Sequence, residues 1–258
     1  MRLFEAAMLF LAGIAAGTMN SVVGSGGLVT FPTLLAFGYS PLVANMTNNM
    51  GSMPGALSGA FVMRKEMQTQ WARILRLSTL TFIGGLAGAL LLLMIPAAAF
   101  KQIVPILIAL ALVLIIIQPR LQARAAKREV EVGRRKIAGD RRRQISGDIS
   151  IFLTGIYGGY FGAAQGILLM SILGAMFDET IQKLNSVKIM LAVSANMAAA
   201  IVFIVHGGVA WEAAGAISVG SLIGGVLGAH IGRRLPTPVY RGFIVFVGLV
   251  AIAKLVTS

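Results

Sequence analysis

Apolar residues run almost unbroken through positions 74–95, 103–117, 189–205, 213–231 and 243–256, with most charges held in the gaps between them. About 20 such residues in a helix cross the hydrocarbon core of a bilayer, so these runs predict transmembrane helices. Two further apolar stretches, 3–37 and 149–177, are interrupted by small residues: GSGG at 24–27 and GAAQG at 162–166. Each Gly inside a helix costs roughly 1 kcal/mol against Ala, so both clusters predict a break. Within lipid a broken backbone survives only where protein or a water-filled cavity meets its N–H and C=O groups. Each break is therefore a tight turn at the surface or part of a buried site.

Composition settles the solvent. Of the 258 residues 57% are hydrophobic and 12% charged, with mean hydropathy +0.85. A soluble domain carries about 25% charged residues, so this is a membrane protein. The absence of cysteine excludes structural disulfides and thiolate metal sites. Met1-Arg2 followed by the apolar residues 3–16 has the outline of a signal peptide. The run continues past any plausible cleavage point, so it reads as a retained first helix.

The net charge of +13 is unevenly placed. Residues 119–147 hold ten of the 22 Lys and Arg against three acids. No aromatic residue interleaves with them, which argues against nucleic acid. By the positive-inside rule this segment is a cytoplasmic loop lying close to anionic headgroups. The same rule puts Arg64, Lys65, Arg73 and Arg76 inside, together with Arg233, Arg234 and Arg241. The turns at 206–212 and 95–101, poor in Lys and Arg, face outward.

The chain repeats itself. IGGLAGALLLLMIP at 83–96 returns 140 residues later as IGGVLGAHIGRRLP, and at that offset Trp71 meets Trp211 and Lys101 meets Arg241. FLAGIAAG at 10–17 answers FLTGIYGG at 152–159. Equivalent turns receive opposite sides of the membrane, which predicts inverted-topology repeats, the architecture of many secondary transporters. The expected fold is an all-α polytopic membrane protein of two such repeats. Each has a broken helix or helical hairpin followed by three transmembrane helices. The repeats cover 1–118 and 147–258, the basic cytoplasmic loop covers 119–146, and both termini face out. Glycines at four-residue spacing (51, 55, 59 and 220, 224, 228, 232) read as helix-packing surfaces.

Polar residues inside a membrane are costly, so those near the breaks are the candidates for chemistry. They are Asn20, Ser21, Ser25, Thr47, Asn48, Asn49 and Ser52 in the first half, and Gln165, Asn185, Ser186, Lys188, Ser194 and Asn196 in the second; Thr47 meets Ser186 at an offset of 139. Short helices beginning after Gly27 and Gly166 would aim N–H groups and positive dipole ends at one place. With the hydroxyls, the amides and Lys188, this favours an anion. A cation site would want intramembrane carboxylates, and Asp178, Glu179 and Glu212 read as loop or cap residues. Lys188 reads equally as a side chain snorkelling from a helix end, and His206 as interfacial. No nucleophile elbow, P-loop or His-rich spacing is present; the chain reads as neither an enzyme nor a cofactor binder.

Residues 17–61, including GTMNSVVGSGGLVTFP, Gly38-Tyr39-Ser40-Pro41 and Ala44-Asn45-Met46-Thr47-Asn48, resemble the opening signature of the sulfite exporter TauE/SafE family. GIYGGYFGAAQGILL and the LNSVKIMLAVSANM segment resemble its second repeat, so the likeness covers nearly the whole chain. The resemblance implies a multi-pass carrier of the bacterial or archaeal inner membrane for sulfite or small organosulfonates. Its partners are the lipid bilayer and that anion, with homodimerisation allowed. Carried over, the substrate-binding residues are Asn20, Ser21, Ser25, Gly26, Gly27, Thr47 and Asn48, with Gln165, Gly166, Ser186 and Lys188. Transport would proceed by alternating access around a midplane site. The alternatives are an anion channel, a carrier of another small organic anion, or a scaffold whose polar residues only join helices.

Overall fold

The computed structural model describes residues 1–22, 24–132, 141–177 and 179–231, and near the C-terminus 242, 245, 246 and 248–253; side chains are described for all of these but 118–132, 141–143 and 231. In chain order the helices are α1 (Leu3–Val22), α2 (Gly27–Ala36), α3 (Pro41–Val62), α4 (Arg64–Met67), α5 (Trp71–Met94), α6 (Ala97–Val132), α7 (Arg141–Tyr160), α8 (Gln165–Met176), α9 (Ile181–His206) and α10 (Trp211–Ile231). A 3-10 turn, Gln68–Gln70, joins α4 to α5. Among the described residues five stretches are long and apolar enough to cross a membrane: Leu3–Val22, Arg64–Met94, Ala97–Ile117, Ile181–His206 and Trp211–His230. The fold is all-α and polytopic.

α3 is absent from that set because the run Asn45, Thr47, Asn48, Asn49 and Ser52 lowers its hydropathy. All five of these side chains are buried. α3 packs against α2, α9 and α10, so its polar face meets protein rather than lipid. α6 and α7 extend into the basic segment, to Val132 and from Arg141. The expected boundaries at 118 and 147 therefore fall inside helices. The last predicted span, 243–256, lies partly outside the described residues. Of those described, Val245, Ala251 and Ile252 join the core, and Gly248 lies against Leu112 of α6.

Chain stops follow local chemistry. Gly24, Gly38, Gly162 and Gly207 take positive φ, between 73° and 91°, a conformation that only glycine adopts without strain. Ser40 and Ile95 are extended, as a residue before proline is pushed to be, and each ends a connection at Pro41 or Pro96.

The tertiary arrangement exchanges the two halves. α1 runs along α10 and α7 along α5, while α3 contacts α10 and α9 contacts α5. Glycines make these approaches. A Cβ on Gly13 would lie 3.1 Å from the Ile217 Cα, and one on Gly155 would lie 2.9 Å from the Thr81 Cα. Such small-residue contacts replace the hydrophobic driving force that is missing between helices in lipid.

α2 and α8 are half-length helices, 10 and 12 residues, that return beside the starts of α1 and α7. Phe37 packs edge-on against Phe4 at 6.3 Å, and the Tyr39 hydroxyl donates to the Glu5 carboxylate at 2.7 Å. The Met176 side chain fills the space beside Gly147. Each break is thereby carried back into the middle of the bundle. At one end of α9, Glu179 pairs with Arg73 (3.6 Å) and Lys183 (3.1 Å), and Arg73 stacks over Phe177 at 4.1 Å. At the other end, α9 stops at His206 and Trp211 opens α10.

Candidate functional site

The two breaks touch each other. The Gly166 N–H donates to the Gly24 carbonyl at 3.1 Å, linking the start of α8 to the chain just after α1. A Cβ built on Gly24 would lie 2.6 Å from the Gly166 Cα, so only glycine fits on either side of this crossing. Ala164 before α8 is itself left-handed, at φ 62°. That conformation costs a non-glycine residue roughly 1–2 kcal/mol, so surrounding packing must hold it.

A cavity of about 40 Å³ opens at the crossing. One water needs roughly 10–15 Å³ of such space, so there is room for about three small groups. From the first half it is lined by Asn20, Ser21, Gly24 and Ala56; from the second by Gly162, Gln165, Gly166 and four α9 residues, Lys188, Ile189, Ala192 and Asn196. Lys188, Ala192 and Asn196 recur at four-residue spacing and so share one helix face.

Lys188 is 2% exposed. Its ammonium donates to the Asn20 carbonyl at 3.5 Å, the outer limit of a hydrogen bond. Asn185, one turn earlier, donates to the Ser21 carbonyl at 3.2 Å. Both contacts cap the last turn of α1, whose final carbonyls have no partner within the helix. Among the described residues no carboxylate pairs with Lys188; the four ion pairs involve Glu179, Asp148 and Glu212. An ammonium held away from water without a counter-charge is expensive.

The lining amides are oriented by their second atoms. Asn20 Oδ1 accepts from the Gly26 N–H at 2.8 Å, which leaves the Asn20 NH2 for the cavity. Asn196 Oδ1 accepts from Asn49 at 3.4 Å, leaving the Asn196 NH2. Gln165 donates to the Thr154 carbonyl at 3.5 Å, with its amide against Gly158. The Ser21 hydroxyl donates to the Gly225 carbonyl at 3.0 Å.

Of the residues expected at a site, Asn20, Ser21, Gln165, Gly166 and Lys188 come together at the cavity. The others do not line it. Gly26 and Gly27 open α2, where the Gly26 N–H is taken by Asn20, and Gly27 lies beside Asn48. The Gly166 N–H is likewise taken, by Gly24, so neither break offers that donor to a ligand in this structure. Ser25 is 1% exposed, and its hydroxyl has no partner among the described residues. Asn48 accepts from the Thr30 hydroxyl within the α2–α3 contact. Ser186 donates back to the Lys183 carbonyl at 2.8 Å. Thr47 accepts from the Ala210 N–H at 3.0 Å and so caps the approach to α10.

That contact separates stability from binding. Thr47→Ala removes the partner of the half-buried Ala210 N–H and is expected to cost about 0.5–1.5 kcal/mol. Melting of the purified protein should fall while its response to added anions stays unchanged. Gly24, Gly162 and Asn196 join the site beyond the expected substrate-binding set. For Asn196 the signal was present in the spacing 188, 192, 196; for the glycines it was the breaks themselves.

The family description "Sulfite exporter TauE/SafE" matches residues 9–255. "Probable membrane transporter protein YfcA" of Escherichia coli (strain K12) is 28% identical over 249 residues, covering 96% of this chain and 88% of that protein. "Probable membrane transporter protein" of Haemophilus influenzae is 26% identical over 254 residues, covering 97% and 94%. A Sinorhizobium "Probable membrane transporter protein ORF9" is 24% identical over 259 residues, covering 98% and 92%. No solved structure matches the chain.

Proposed function

The chain belongs to the sulfite exporter TauE/SafE family of membrane transporters, and on that premise we propose that it carries a small sulfur-containing anion, sulfite or an organosulfonate, through the cavity at the crossed breaks. The observation that carries this reading is Lys188, a buried ammonium with no carboxylate partner among the described residues, set in a cavity where the amide oxygens of Asn20 and Asn196 are tied to protein and their NH2 groups are left over. Burial of one charge is relieved when an opposite charge enters beside it. An anion is therefore the ligand that this lining stabilises most.

Alternating access would move the two halves about the Gly24–Gly166 crossing. Inversion of the repeats is supported by Trp71 and Trp211, equivalent at the 140-residue offset. Arg73, two residues beyond Trp71, pairs with Glu179 beside the start of α9, whereas Trp211 follows the end of α9. The 26 residues of α9 separate those ends by about 39 Å. The positive-inside rule then places the basic segment in the cytoplasm.

The Lys188–Asn20 contact favours a second reading, in which Lys188 only caps α1. The test is thermal unfolding of the detergent-purified chain with sulfite, small sulfonates and carboxylates. A ligand at 100 times its Kd adds about 2.7 kcal/mol to the folded state. Stabilisation by sulfite or a sulfonate is expected, followed by flux that saturates in proteoliposomes; flux without saturation would mark a channel. A well-folded sample indifferent to every anion would sink the anion reading.

A further inference from the structure

Resting on the reading of the cavity as an anion site, we propose that it selects by charge number and takes a singly charged oxyanion in preference to a doubly charged one of the same shape. Among the described lining residues Lys188 is the one ionisable side chain; the rest are amides, a serine, glycines and aliphatic side chains. None of the other described cations lines the cavity: Arg73 and Lys183 pair with Glu179, Arg76 pairs with Asp148, and Arg64 lies over the Phe61 ring. One negative charge entering the cavity makes a neutral pair with Lys188. A second has no cationic partner among the described lining residues, and desolvating an unpaired charge is costly.

Two of the neutral lining groups, Asn20 and Asn196, fit the same conclusion. Asn20 and Asn196 each have the amide oxygen tied to protein, by Gly26 and Asn49, so each presents NH2 rather than a carbonyl. Two such donors and an ammonium match the several oxygens of one oxyanion over which a single charge is spread. Amides satisfy lone pairs; they do not neutralise a second full charge. The loaded cavity is then electrically neutral, the cheapest state for a group that must pass the middle of a bilayer.

Methanesulfonate and sulfate separate the two cases. Both are tetrahedral and of similar size, and they differ by a methyl group in place of a charged oxygen. Thermal unfolding of the full-length protein in detergent would be titrated with each at matched ionic strength, so that general salt screening cancels. Methanesulfonate is expected to reach half-maximal stabilisation at a concentration at least about tenfold lower than sulfate, equivalent to about 1.4 kcal/mol. Sulfate binding as tightly or more tightly overturns the charge-number selection while leaving an anion site standing. If neither ion stabilises the protein, and sulfite and other sulfonates also fail, the underlying anion reading falls with it.

Discussion

Lys188→Met is expected to raise the melting temperature of the ligand-free protein and at the same time to abolish its stabilisation by anions. The two effects share one cause. Without ligand, the Lys188 ammonium is 2% exposed and makes one 3.5 Å contact to a neutral carbonyl. Exchanging buried charges for well-packed apolar side chains is commonly neutral or stabilising by about 1–4 kcal/mol. With ligand, the same ammonium is half of a desolvated charge pair, and truncating one partner of such a pair costs about 2–5 kcal/mol. That corresponds to a loss of affinity of roughly 30-fold to several thousandfold. Lys188→Arg keeps the charge and should retain part of the anion response. The capping reading makes the opposite forecast for Met: α1 loses a C-terminal partner, stability falls, and anion response persists. Melting curves of the wild type and both variants, with and without a sulfonate, decide between them.

The second large effect belongs to the crossing itself. Gly24→Ala should destabilise the fold by roughly 2–5 kcal/mol, combining left-handed backbone strain with overpacking against Gly166. Gly38→Ala is the control. Gly38 takes φ +91°, similar to +83° at Gly24, yet a Cβ there meets nothing within 4 Å. Its substitution should cost only the strain, about 1–2 kcal/mol. The difference between the variants, read from thermal unfolding, isolates the contact between the breaks. Equal losses would mean that the crossing is loosely packed. Because Gly24 and Gly166 both line the cavity, Gly24→Ala should also weaken anion binding, whereas Gly38→Ala should not.

Much of this architecture is legible along the chain because its signals are local. Hydropathy is summed residue by residue, and a glycine cluster breaks a helix whatever lies nearby. The spans, the two breaks and the polar run in α3 could accordingly be read directly. Lys188 could be singled out because an intramembrane cation is costly in any fold. Thr47 and Ser186 looked like a matched pair by offset. The fold gives them different work, capping Ala210 and bonding back to Lys183. A repeat in the sequence does not say which unpaired group lies nearest a hydroxyl, and that neighbour is what each hydroxyl follows. The basic segment looked like a loop because charge is a poor guide to helix ends; Ala, Arg, Lys and Glu are all good helix formers, and α6 and α7 run into it.

By itself the sequence determined that this chain is a helical membrane protein with two glycine-broken helical stretches and an ammonium where lipid-facing chemistry would forbid one. Only the tertiary structure decided that the breaks meet each other, that Asn196 completes the lining, and that the Gly26 and Gly166 N–H groups are spent on protein partners. The physical reason is range. Solvent preference and backbone freedom are properties of a residue and its neighbours in the chain. A cavity is defined by the atoms that long-range packing fails to bring together, and here that packing depends on glycine faces of α1, α5, α7 and α10 approaching across the two halves.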